Sequence, residues 1–338
     1  MEYMPDFAVL RPSSLAELTD LRREHAHAQL LAGGTDLIVN IRRGIAQPER
    51  LIELNGIAEL RRIERLEDNG AGGLRIGAAV TLAKLIEDPL VRETYPIVVD
   101  AAREVAAATH REVATVGGNL CLDTRCVFYN QSEWWRRSND YCLKSRGDVC
   151  HVAPKGNHCF AAFSGDLAPA LIALGAQVEI VGTGGERTLP LQNIYADDGM
   201  AHLLLAKDEC LVAVRLPSPA GLHAGYAKVR VRGAIDFPLV GVAVALRRQG
   251  EALSELRVAL TGTNSRPILV QGTQTLLGQP FDEKQTEQLV ALLAKQIQPM
   301  NSTFTPAGHR RKALANLTRS LIARLFDAAD GNRGQGAS

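Results

Sequence analysis

Five of the six cysteines fall between Cys121 and Cys159, in a polar stretch with little hydrophobic pattern. Such a segment has little apolar burial to offset the conformational entropy lost on ordering. Something other than a core must tie it down, and a metal centre would do so. Its cysteines are Cys121, Cys126, Cys142, Cys150 and Cys159. Cys210 stands apart, just before the apolar run Leu211 to Leu216, and reads as a buried core thiol. Zinc sites usually present close cysteine pairs, whereas Cys126, Cys142, Cys150 and Cys159 are spaced by 16, 8 and 9 residues. Four thiolates equally suit a [4Fe–4S] cube, one per iron. Spacing alone leaves iron–sulfur, zinc and unligated thiols open.

The rest of the chain reads as ordinary globular protein. It has 338 residues, 46% hydrophobic and 22% charged, enough for two or three domains. With 38 basic and 37 acidic side chains, the balance gives no support for nucleic-acid binding. No apolar run is long enough to span a membrane, and the N-terminus lacks a secretory pattern. We expect a cytoplasmic protein, in which lasting disulfides are disfavoured.

Helix, strand, glycine turn, helix and strand follow one another up to Asn55-Gly56, giving a first α/β unit over 1–56. A second unit covers 57–219, with the cysteine segment inserted at about 121–160, and Pro217-Ser218-Pro219 ends it. Strand candidates at Leu60 to Glu67 and Leu74 to Ile76 flank a turn at Asp68 to Gly73. An α+β unit covers 220–330 and a frayed tail 331–338. In the last unit, Phe237 to Arg247 is one helix or strand, Leu253 to Thr261 alternates like an exposed-edge strand, and Asp282 to Gln296 and His309 to Phe326 are amphipathic helices.

Two glycine turns carry the chemistry. In Leu31-Ala32-Gly33-Gly34-Thr35-Asp36 a short apolar strand delivers two glycines to a helix start. Glycine lets the backbone approach a ligand, and the free N–H groups at the helix start make an anion seat suited to a pyrophosphate. Thr35 adds a hydroxyl donor, and Asp36 is placed to cap the helix. Thr115-Val116-Gly117-Gly118-Asn119 has the same physical content, with Asn119 as an amide donor. Either turn alone is better explained by shape, since strand-to-helix turns often need glycine for that reason. Neither matches GxGxxG or the P-loop pattern.

As a set, these turns resemble the FAD-binding signature of the medium subunit of the xanthine dehydrogenase and carbon monoxide dehydrogenase family. The resemblance continues through Phe163-Ser164-Gly165-Asp166-Leu167-Ala168-Pro169, similar to that family's third FAD element, and through Lys228 to Arg232 and Asp236. It implies an α+β fold: a two-part FAD-binding domain of the vanillyl-alcohol oxidase-like type followed by a smaller α+β domain. It implies one FAD, with its diphosphate held by Leu31 to Asp36 on one side and by Thr115, Gly117, Gly118 and Asn119 on the other. Ser164 belongs to the third element. Asp166 would bond a ribose or adenine-side hydroxyl, Tyr195 would stand near the flavin ring, and Lys228 on the adenine or ring side. From the residues alone, Tyr195 reads equally as a core tyrosine and Lys228 as a solvated strand lysine.

The segment between the second turn and the third element is longer than is usual in that family. It resembles the extra loop of the 4-hydroxybenzoyl-CoA reductase branch, which carries an additional [4Fe–4S] cluster. That resemblance implies Cys126, Cys142, Cys150 and Cys159 as ligands, with Cys121 spare. It further implies electron entry from a ferredoxin through the cluster and FAD. From there electrons would reach a [2Fe–2S] small subunit and a molybdenum-cofactor large subunit, in a dimer of heterotrimers. Arg125, Arg136, Arg137 and Arg146 read as a face for an acidic ferredoxin or as a solvated loop offsetting cluster charge.

Overall fold

The computed structural model describes residues 4–66 and 72–331. Three sheets organise the chain. The first is parallel, in the order β1 (Ala8–Leu10), β3 (Arg50–Glu53), β2 (Gln29–Leu31). Helix α1 (Leu15–Glu24) connects β1 to β2, and α2 (Leu37–Arg42) connects β2 to β3. Ser14 caps α1, accepting from the Glu17 N–H, while the Glu17 carboxylate accepts from the Ser13 N–H.

The second sheet has five antiparallel strands in the order β4 (Ile63–Leu66), β5 (Gly73–Gly77), β8 (Cys210–Leu216), β6 (Gln177–Gly182), β7 (Gly185–Pro190). Its apolar face buries α3 (Leu82–Glu87), α4 (Pro89–Thr94), α5 (Pro96–Arg103) and, later in the chain, α9 (Leu167–Ala173). Between these lie α6 (Ala108–Arg111), α7 (Val116–Leu120) and α8 (Glu133–Ser138). The turn expected at Asp68 to Gly73 falls largely outside the described residues. Strand β7 escapes sequence reading because Gly-Glu-Arg-Thr-Leu-Pro is almost wholly exposed and shows no apolar alternation.

The third sheet runs β12 (Ile268–Leu269), β11 (Ala252–Thr261), β10 (Val240–Gln249), β9 (His223–Val229), followed by α10 (Glu283–Gln296) and α11 (Ala307–Gly331). The run at Phe237 to Arg247 is strand β10. Val240, Val242, Val244 and Leu246 face the core shared with α10 and α11, whereas Ala243 and Ala245 face the core of the second sheet. Burial on both faces makes the strand continuously apolar, so no period appears in its sequence. Strand β11 is interior rather than an edge, because β12 covers its far side. Helix α11 continues through the start of the polar tail to Gly331.

The first two sheets meet at the glycine turns. A Cβ added to Gly33 would lie 2.0 Å from the Val113 carbonyl oxygen, so the turn rests directly on the backbone leading into α7. Gly33→Ala is therefore expected to destabilise the protein by ~1–3 kcal/mol. Urea unfolding should show a lower midpoint at unchanged slope; an unmoved midpoint would mean the two turns are not in contact.

Candidate functional site

A cleft of about 420 Å³ opens where β2, α2 and α7 meet the segment after β9. Its walls include Leu31, Ala32, Gly33, Gly34, Thr35 and Asp36 from the first turn and Thr115, Gly117, Gly118 and Asn119 from the second. Ser164 and Asp166 come from the third element. Tyr195 and Lys228 are not among the lining residues.

The first turn presents free donors. Gly34 takes a φ of +71°, which glycine adopts without steric cost and which turns the chain from β2 into α2. Among the described residues, no backbone N–H from Gly33 to Leu37 reaches a protein acceptor. Amides without a protein partner turn to water or to a ligand, so the turn is able to meet an acceptor in the cleft. Asp36 does not cap α2, contrary to expectation. Its carboxylate instead pairs with the Arg125 guanidinium.

The second turn has a different physical content from the first. The amides of Val116, Gly117, Gly118 and Asn119 are all taken, by the oxygens of Val80, Ala78, the Thr115 hydroxyl and the Thr115 carbonyl respectively. Gly117 serves close packing: a Cβ there would lie 2.8 Å from that of Ala78. The turn thus forms a smooth wall rather than a second set of amide donors. The Asn119 carboxamide oxygen accepts from the Leu167 N–H at 3.1 Å. That bond ties the second turn to the start of α9 and leaves the NH2 group for a ligand.

Asp166 stands at the head of α9, buried, without capping it. The Tyr226 hydroxyl donates to it at 2.7 Å, and the Lys228 ammonium lies 3.1 Å from the same oxygen. Lys228 also donates to the backbone oxygens of Glu104 and Asp236. It is therefore neither a solvated lysine nor part of the cleft wall; it braces Asp166 from behind. Burial pushes the Asp166 carboxyl above the usual aspartate range, against the opposing pull of Lys228. Tyr195 is buried in the core, its ring edge-on to Phe163 at 5.3 Å and its hydroxyl donating to the Leu120 carbonyl. It supports the last turn of α7 from below.

Sequence reading missed several wall residues, including Val39, Ala106, His110, Ile235 and Phe237. Ile235 and Ala106 both hold positive φ, 51° and 46°, and the Ile235 N–H donates to the Ala106 carbonyl. Backbone strain of this kind leaves no composition signal.

Comparison with known proteins places these features. Residues 5–219 match the family described as the FAD binding domain in molybdopterin dehydrogenase. The chain belongs to this family. Residues 225–325 match the CO dehydrogenase flavoprotein C-terminal domain. The chain is 32% identical to the aldehyde oxidoreductase FAD-binding subunit PaoB of Escherichia coli (strain K12), over 82% of this chain and 87% of that one. It is 30% identical to the carbon monoxide dehydrogenase medium chain of Hydrogenophaga pseudoflava, over 83% of each. It is 29% identical to the putative xanthine dehydrogenase FAD-binding subunit XdhB of Escherichia coli (strain K12), over 97% and 99%. The fold superposes on the structure of carbon monoxide dehydrogenase from Hydrogenophaga pseudoflava with a TM-score of 0.78 at 24% identity, covering 96% of this chain and 99% of that one. The mixed α and β fold of an FAD-binding medium subunit is thereby shown.

Within this flavin-binding frame, the cysteine segment is an ordered loop. Arg125 and Ala162 exchange both backbone hydrogen bonds across its ends. The Val127 N–H reaches the Ser302 carbonyl, and the Ser265 hydroxyl the Cys159 carbonyl. Cys126, Cys142, Cys150 and Cys159 are buried and border one small void, together with Tyr129 and Lys144. Among the described residues, no group of three or more His, Cys, Asp or Glu side chains is arranged to hold a metal ion. The Ala161 N–H donates to the Cys159 sulfur at 3.4 Å, whereas the N–H groups of Tyr129 and Ser145 donate to the carbonyls of Cys126 and Cys142. Burial pushes Cys126 up to about 11 and Cys159 up to about 12. Cys121 and Cys210 line the cleft instead.

Of the four arginines read as a docking face or a solvated loop, two are buried and two are exposed. The Arg125 side chain is largely buried against Asp36, and Arg136 is buried against backbone carbonyls. Arg137 and Arg146 are exposed, each within 4.0 Å of Glu133.

Lys228→Met leaves Asp166 as a buried carboxyl without its cation and should cost ~3–5 kcal/mol. The sign of the pH dependence follows from the raised Asp166 value: stability is lost as pH rises through the folded-state pKa. The deficit should therefore shrink as pH falls toward the ordinary aspartate range, and adding Asp166→Asn should recover part of it. Chemical unfolding across pH checks both; a pH-independent deficit would rule the ion pair out as its source.

Proposed function

We propose that this chain is the FAD subunit of a molybdenum hydroxylase-family oxidoreductase and that its inserted loop carries an iron–sulfur cluster. The flavin half follows from family membership and the cleft. The free amides from Gly33 to Leu37 meet the diphosphate, while the smooth wall at Gly117 and Gly118 lets the cofactor lie against the backbone. Thr35, Asn119 and Ser164 supply side-chain hydrogen bonds. Asp166, held by Tyr226 and Lys228, presents its carboxylate to a ribose or ribityl hydroxyl. Bound FAD supplies the electron-transfer chemistry, and this chain supplies its binding, orientation and surroundings.

The single observation behind the cluster is the gathering of four thiols from an otherwise polar loop around one void. In number and type, though not yet in arrangement, four thiols match a [4Fe–4S] group, one sulfur per iron, and the Ala161 N–H directed at the Cys159 sulfur would stabilise thiolate character there. Lys144, buried beside Asp123 and 4.5 Å from the Tyr129 ring centre, adds positive charge next to that negative group. Cluster loading displaces the protons of thiols that burial otherwise keeps neutral.

The partners are a molybdenum-cofactor large subunit and a [2Fe–2S] small subunit, in the manner of multi-subunit relatives. The loop favours a narrower second reading, a 4-hydroxybenzoyl-CoA reductase-type enzyme fed by ferredoxin. The pairing of Arg137 and Arg146 with Glu133 weakens the charge argument for ferredoxin docking.

Anaerobic purification of the assembled enzyme should give, per copy of this chain, one FAD and about four irons and four sulfides beyond those of the [2Fe–2S] small subunit. Cys126→Ser, Cys142→Ser, Cys150→Ser and Cys159→Ser should each lose the iron specific to this chain, while Cys121→Ser and Cys210→Ser retain it. One zinc in place of iron would remove the cluster. An iron content in the Cys142 variant equal to that of the unmutated enzyme would remove the ligand set.

A further inference from the structure

Helix α2 carries the amide row of the first turn, yet it is only six residues long. Both its ends are held from the cysteine loop. At its start, the Asp36 carboxylate pairs with Arg125, the residue immediately before Cys126. The Arg125 guanidinium also lies 4.6 Å from the Phe237 ring centre, and its Nε is buried without a protein partner among the described residues. At the other end, Arg136 of α8 donates to the carbonyls of Arg43 and Gly44 at 3.1 and 3.2 Å. These carbonyls lie at the C-terminal end of α2, where the backbone has no further helical partner. Arg136 is 1% exposed and is fixed within its own loop by Glu133 and the Gln131 carbonyl.

We propose that Arg125 and Arg136 make the cysteine loop a clamp on α2, so that cluster integrity and FAD retention form one coupled equilibrium. This rests on the reading that the cleft holds FAD and the thiols hold a cluster. Four thiolates joined to one metal group would add cross-links to a polar loop that has little apolar burial of its own. When the loop loses order, both arginines leave α2, and the amide row is no longer held in one geometry. A planar guanidinium suits both contacts, bridging two carbonyls at one end and meeting a carboxylate and a ring face at the other. The two arginines act as positioning residues for the flavin site. Linkage is reciprocal: FAD in the cleft must also protect the cluster by the same factor. Oxidative loss of the cluster would then release the flavin.

The test uses the assembled enzyme, purified without oxygen. FAD affinity is measured by flavin fluorescence before and after removal of the loop cluster with ferricyanide and EDTA. Cluster loss should weaken FAD binding at least tenfold, and FAD-depleted enzyme should surrender the loop iron to chelator correspondingly faster. Arg125→Gln and Arg136→Met should each shrink the ratio of the two affinities below about threefold, with iron and sulfide in the untreated enzyme unchanged. The unmutated comparison decides the proposal even if a variant fails to assemble. Equal FAD affinity with and without the cluster overturns the coupling while leaving both cofactors in place. Full coupling in both variants overturns the clamp. Flavin without iron in this chain overturns the cluster reading and this proposal with it, and a colourless preparation overturns the flavin reading.

Discussion

The cleft exists because one backbone turn lies directly on another. Gly33 sits on the Val113 carbonyl with no room for a side chain, and Gly117 packs closely against Ala78. The Gly33 contact joins the unit of the parallel three-stranded sheet to that of the antiparallel five-stranded sheet, beside the cleft. Any side chain at Gly33 would separate the sheets and open the site. Close approach, more than backbone flexibility, is what both glycines supply.

The two turns then divide the work. The first leaves its amides without protein partners and so meets a charged or polar group. The second spends its amides internally and offers a flat surface. Behind them, the third sheet closes the site through buried charge. Lys228 on β9 reaches Asp166 at the head of α9 as well as the backbone of Glu104 and Asp236. One ammonium therefore joins three segments around the cleft. Strand β10 reinforces this, its alanines facing the second-sheet core and its larger residues facing α10 and α11.

The cysteine loop is joined to this frame at several points. It contacts the region before α11 through Val127, Ser265 after β11 through Cys159, and α2 through its arginines. Four of its thiols border one void, and Arg125, Arg136 and Lys144 face inward while Arg137 and Arg146 are exposed. A loop read from composition as a solvated basic surface is instead a buttress, because Arg125 and Arg136 find backbone and carboxylate partners far away in sequence.

Local pattern by itself determined the glycine turns, the flavin family, the capped helices and the unusual cysteine segment, since each depends on residue type at short spacing. Tertiary structure alone decided which turn has free amides, because Val80 and Ala78 must arrive from another element to satisfy the second. It also placed Tyr195 in the core, Lys228 behind Asp166, and Asp36 against Arg125 rather than over its own helix. Strand β11 looked like an edge because alternation reports exposure of side chains and says nothing of neighbouring backbone. The physical reason is common to all of these: a hydrogen bond or an ion pair is fixed by the partner that long-range packing delivers, and that partner is not written beside the residue it serves.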